Sequence, residues 1–246
     1  MLMTETPTLY ETTTAVCHAG RLQPYRFIHK ALRMLMFRTL QQAATLDAAD
    51  ATARAALVAA VDELLEVCSE HLGHENTFFH AALRERAPRA VLAFDDDHQG
   101  HELSIGALRT QLGRVAAGGT AVRGEAYALY LALTRFIGEN LEHMADEETR
   151  LTHTFWQHFS DAEIEAIEQR LLATFSPEKS AYYARWMARG LDDVELATLA
   201  AGAREGMPPA AFGGVLELLM AELPPLRRAR LARAMGLPPV PGLVTA

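Results

Sequence analysis

Two residue pairs in this chain combine types and spacing suited to holding a metal ion: His71 with Glu75, and His143 with Glu147. Four residues along an α-helix is slightly more than one turn, so the imidazole and carboxylate of each pair project from one face and can reach one ion or two adjacent ions. Both pairs interrupt apolar stripes. His143 and Glu147 lie on the run Leu129, Leu133, Phe136, Asn140, His143, Glu147, Arg150, Thr154, and the other pair on Val61, Leu64, Cys68, His71, Glu75, Phe78, Ala82. Steps of three and four mark the inward seam of a bundle helix. Burying an isolated carboxylate or imidazole costs roughly several kcal/mol unless it is paired or coordinates a cation. Two such intrusions ask for a common explanation, and a shared metal centre supplies it.

The elements that must position these pairs can be read around them. Pro24 opens a first helix whose inward run is Tyr25, His29, Leu32, Met36, Leu40, with His29 as its one polar intruder. Asp47 or Asp50 can cap the second helix, which carries His71 and Glu75 and stops near Pro88. The third has the most regular seam, Phe94, His98, His101, Ile105, Leu108, Leu112, Val115, broken by Gly118-Gly119. Thr120 can cap the fourth, which runs past His143 and Glu147 to about Phe159. Four long helices with short connections predict an all-α, up-down-up-down four-helix bundle over residues 23–159, with its inward polar groups at one level.

Outside the bundle, residues 1–22 are rich in threonine, lack a period and read as an N-terminal arm. Residues 160–246 read as a helical appendage of short elements. Ser160 and Glu163 form a capping box, Ser176-Pro177 starts another helix, Gly190 precedes a new start at Asp192, and the proline pairs at 208, 224 and 238 punctuate the rest. Arg227, Arg228, Arg230 and Arg233 give the last helix a basic face, which reads as solvated surface.

Half the residues are apolar, alanine and leucine are abundant, and β-branched residues are sparse, which is helical composition. The net charge of −8 argues against nucleic acid or an anionic membrane as partner. Two cysteines, Cys17 and Cys68, make no disulfide framework and fit a reducing compartment. The first thirty residues show no secretion signal, and no stretch has the roughly 20 uninterrupted apolar residues of a membrane span. The expectation is a soluble, cytoplasmic protein.

The inward intruders, in order, are His29, then His71 and Glu75, then His98 with His101, then His143 and Glu147. This order of one histidine, HxxxE, a histidine and a second HxxxE resembles the hemerythrin-like proteins with an HHE cation-binding domain. The flanking Phe79-His80, after the first pair, and Glu147-Glu148, at the end of the other pair, are similar too. The resemblance covers roughly residues 20–160. It implies a bundle holding a non-haem di-iron centre, with His29 and His71 on one iron, His98 and His143 on the other, and Glu75 and Glu147 as bridging carboxylates. The imidazole and carboxylate set suits iron, manganese or zinc, and no thiolate set competes.

Hemerythrins proper use a second histidine from the third helix and an aspartate five residues after the last histidine. Here the carboxylate is Glu147, at four residues, and His101 follows His98 by three. His101 is therefore either a seventh ligand or a hydrogen-bond partner of a ligand. His74 and Glu148 are one position off their seams and read as supporting or surface groups. His18 lies in the arm, and His80, His153 and His158 lie near helix ends, where exposure is expected.

There is no Glu-x-x-His, HExxH, GxSxG or phosphate-binding glycine loop in the chain. Two functions remain. One is a di-iron protein that binds or reacts with dioxygen, nitric oxide or peroxide. The other is an iron sensor or metal-stabilised interaction protein without turnover.

Overall fold

Aspartate, serine and proline at the predicted starts, together with the seams between them, produce a wholly helical fold. A computed structural model describes residues 20–238, and among these there is no strand. The arm expected over residues 1–22 lies almost entirely outside the described residues, as does Pro239. The described helices are α1 (Arg26–Ala44), α2 (Ala51–His74), α3 (His80–Arg86), α4 (Pro88–Ala117), α5 (Val122–Asp146), α6 (Thr152–His158), α7 (Asp161–Leu172), α8 (Pro177–Gly190), α9 (Asp193–Gly206), α10 (Pro209–Glu222) and α11 (Pro225–Ala234). None is long and apolar enough to cross a membrane.

Their ends follow local chemistry. Of the two aspartates that could cap α2, Asp50 does so, its side chain accepting from the N–H groups of Thr52 and Ala53. Ala87, before proline, is driven out of the helical region, so α3 ends and Pro88 starts α4. Gly118 and Gly119 turn the chain at φ 71° and 93°, values that disfavour any residue with a Cβ. Thr120 is not the cap of α5. The N-cap is Ala121, which contributes no side-chain hydrogen bond; the entry is wound tightly instead, with Val122 N–H donating to Gly119 O and Gly124 N–H to Ala121 O.

α2 does not pass directly into α3, nor α5 into α6. A π turn joins each pair, at Glu75–Phe79 and at Glu147–Leu151. Each begins at the carboxylate of an HxxxE pair. A π turn closes i→i+5 and inserts one residue into the α period. The inward seam therefore slips by one position. Phe79 and Leu83 are buried where Phe78 and Ala82 were expected, and Leu151 and Phe155 are buried where Arg150, which is exposed, and Thr154 were expected.

Contacts divide the chain into two units. The first comprises residues up to Arg26 with Met36–Ala173. In it α5 packs most extensively on α4, and α4 on α2. Beside the π turns, Tyr25, Phe79 and Phe155 form a ring cluster with centroids 5.5–6.3 Å apart. Ile164 and Ile167 of α7 belong to that cluster, so this helix, beyond residue 159, covers the same core. Arg21 ties it down, pairing with Asp161 at 2.7 Å and donating to the carbonyls of Trp156 and Phe159.

The second unit comprises Phe27–Leu35 with residues from Thr174 on. Its core is Ala188, Leu191, Leu196, Leu219, Leu223 and Leu231, with Phe27 packed against it. Ser176 and Asp192 cap α8 and α9, the latter in a capping box with Glu195. The basic face of α11 is only partly solvated: Arg227 and Arg230 both pair with Asp193, and Arg228 donates to Leu223 O.

Candidate metal centre

Glu75, His98, His143 and Glu147 are all buried, and each offers one ligand atom within 4.8 Å of the others. His98 Nε2 is 2.9 Å from His143 Nε2, 3.6 Å from Glu75 Oε2 and 3.7 Å from Glu147 Oε1. His143 Nε2 is 3.4 Å from Glu147 Oε1, along the helix turn anticipated for this pair. Two ligands on one ion, with bonds of about 2.1 Å, sit about 3.0–3.4 Å apart, close to these separations.

The oxygens beside the other ring nitrogens favour the Nδ1–H tautomer. His98 Nδ1 faces Asn76 Oδ1 at 2.9 Å, and His143 Nδ1 faces Asp97 Oδ2 at 3.5 Å. Each Nδ1–H donates to an oxygen, which leaves a lone pair on each Nε2 when the imidazole is neutral. Two lone pairs at 2.9 Å repel each other unless a cation or a proton lies between them. Holding the remote nitrogen of a histidine on a carboxylate or amide oxygen is how proteins orient metal-ligating imidazoles.

Glu75 is shared. Its Oε1 is 3.1 Å from His71 Nε2, while Oε2 faces His98. His29, fully buried on α1, forms a second set of candidate ligands with His71 and Glu75, again within 4.8 Å. Glu75 thus belongs to both sets and Glu147 to the His98–His143 set alone. His71 is the most accessible of these side chains, at 11 % exposure.

Burial by itself would push the Glu147 carboxyl up, but the facing imidazoles of His143, His80 and His98 outweigh it and hold the group well below the ordinary carboxylate range. Burial lowers His143, yet Glu147, Glu75 and Asp97 together raise it. The site therefore favours Glu147 as an ionised carboxylate facing positive charge. Tyr25, fully buried, is pushed well above its ordinary value first by burial and then by the charges of Glu147 and Glu75, so its phenol keeps its proton.

His101 is buried on its seam but joins neither set. Its ring lies 4.9 Å from that of His143, its buried Nδ1 has no hydrogen-bond partner, and burial followed by repulsion from His143 and His98 lowers it to about 4. His74 and Glu148 are half-buried, and His153 and His158 are exposed as expected.

His80 departs from expectation. It is completely buried, its ring stacked 4.7 Å from that of His98 and its Nε2 3.6 Å from Glu147 Oε1. In an uninterrupted α-helix a residue five after Glu75 faces about 140° away. The π turn at Glu75–Phe79 returns it to the inward face, and that turn has no signature in an α-periodic reading.

The donor set of imidazoles and carboxylates fits a borderline-to-hard cation such as iron, manganese or zinc. No curated protein and no solved structure matches the chain. The family model of the hemerythrin HHE cation-binding domain matches residues 25–154, more than half of the length, and the chain belongs to that family.

Proposed function

We propose that this protein holds two iron ions in a non-haem centre and binds or reacts with a small oxidant, dioxygen, nitric oxide or peroxide. The observation that carries the reading is the double role of Glu75, whose two oxygens face different histidines, His71 and His98. His29 and His71 would hold one ion, His98, His143 and Glu147 the other, with Glu75 between them. Two redox-active ions in that position would supply electrons to a bound oxidant.

The chain's own groups have separable tasks. Asn76 and Asp97 orient the imidazoles of His98 and His143. Phe94 and Phe136 pack edge-on against His143 and His101 respectively, placing apolar rings beside the site. The His29–His71–Glu75 set has fewer protein ligands than the other and the more exposed histidine, which favours entry of a small ligand on that side.

The test is anaerobic loading with iron(II), elemental analysis, and visible spectra before and after air, azide or nitric oxide. About two irons per chain and new absorption bands are expected. Folded protein that binds no iron overturns the reading. Bound iron with an inert spectrum, accompanied only by a higher melting temperature, supports the iron-sensor function instead.

A further inference from the structure

We propose that His80 supplies a third imidazole to the cation held by Glu75, His98, His143 and Glu147, in the place that spacing along α4 assigns to His101. The inference rests on the metal reading above and names a ligand for it.

Three observations converge. His80 Nε2 is buried, has no hydrogen-bond partner, and points at Glu147 Oε1 from 3.6 Å, the same oxygen that His143 and His98 approach at 3.4 and 3.7 Å. An unpartnered, fully buried nitrogen is costly in a protein interior, and coordination removes the cost. Secondly, His80 Nδ1 sits 3.2 Å from Asp95 Oδ1, and Arg84 pins that carboxylate at 2.8 Å. This repeats what Asn76 does for His98 and Asp97 for His143: an oxygen accepts from Nδ1–H and leaves the lone pair on Nε2, the atom that lies toward Glu147 Oε1. Thirdly, the ring-centroid separations, 4.7 Å from His80 to His98 and 4.8 Å from His98 to His143, are alike.

His101 fails the second criterion, because its Nδ1 is buried without any oxygen to hold it. Its proximity to His143 alone does not orient a lone pair. The π turn gives the proposal its structural cause. Inserting one residue after Glu75 places Glu75 and His80 on one face of a single rod, so the first HxxxE pair becomes HxxxExxxxH.

The experiment compares His80→Gln, His80→Ala, His101→Ala and the parent, each loaded anaerobically with iron(II). Circular dichroism checks folding. Iron per chain, the rate of iron release to a chelator, and the number of imidazoles per iron from X-ray absorption are then measured. Both His80 variants are expected to lose about one of two irons or to release it at least about tenfold faster, with fewer imidazoles per iron. His101→Ala should match the parent.

Added imidazole should fill the space in His80→Ala and return the number of imidazoles per iron to the parent value, which a packing role would not do. Asp95→Asn, which leaves His80 in place, should speed release by about 10- to 100-fold, and it decides the matter if both His80 variants unfold. Parent-like iron content, release and imidazole count in folded His80 variants overturn the proposal, as does parent-like release from Asp95→Asn if they unfold. A parent protein that binds no iron instead refutes the metal reading itself.

Discussion

The Nε2 atoms of His98 and His143 face each other at 2.9 Å while both Nδ1 atoms are turned to oxygen acceptors. Neutral imidazoles in this arrangement repel, and protonating one satisfies only that contact. A divalent cation satisfies both nitrogens and the two carboxylates together. Iron(II) or zinc should therefore stabilise the fold by about 2.7 kcal/mol at a free concentration about 100 times the dissociation constant. Thermal melts with metal and with chelator measure this. Superimposable curves would show that the cluster closes without a metal.

Glu147 and Glu148 are adjacent, and only Glu147 is fully buried against the histidines. Glu147→Gln keeps the volume and removes the charge, so it should lower metal content by about one ion per chain. Glu148→Gln should leave stoichiometry at the parent value. Elemental analysis of the two variants separates the roles, and the reverse result would mean that the π turn after α5 presents a different face to the centre.

Much of this site was legible because its seams obey the α period up to each carboxylate. Phe94, His98, His101, Ile105, Leu108, Leu112 and Val115 are all buried as their spacing required. Of the residues that their order singled out, Glu75, His98, His143 and Glu147 form one candidate group and His29, His71 and Glu75 another. Legibility ends where the period changes. Past Glu75 and Glu147 the π turns shift the buried set by one residue, to Phe79 with Leu83 and Leu151 with Phe155. A π turn breaks the α period that the reading relied on, so the spacing carried no mark of it. The same slip made His80 look like an exposed residue near a helix end.

Ile164 lies beyond the family match yet is fully buried in the cluster with Phe79, Leu83 and Phe155. Ile164→Ala should cost about 2–5 kcal/mol, the range for truncating a large aliphatic core residue. Chemical denaturation reads the change. A loss under about 0.5 kcal/mol, the usual size for a surface position, would mean that α7 does not cover the first unit's core.

A Cβ on Gly190 would stand 2.8 Å from Lys30 O, a backbone atom that cannot swing aside. Gly190→Ala should therefore destabilise the second unit by about 1–3 kcal/mol despite alanine's better helix propensity. Thermal melting of the variant tests it. A raised melting temperature would show that α8 and the Phe27–Leu35 stretch do not approach so closely.

Glu163 closes the capping box of α7 and pairs with Arg86 at 2.7 Å. Arg86, with Ser160 behind it, lowers its carboxyl from the ordinary 4.5 to about 2. The folded value lies below the unfolded one, so the folded state favours the ionised form and its stabilisation is fully present above the ordinary carboxylate range. It declines as pH falls below 4.5 and is gone once pH has passed through about 2. Glu163→Gln should accordingly melt below the parent at neutral pH, and the gap should narrow steadily as both are titrated through that window. The comparison cancels every other acid-sensitive group, because both chains share them. A gap that stays constant down to the lower limit would assign the effect to lost packing or geometry instead of the charge.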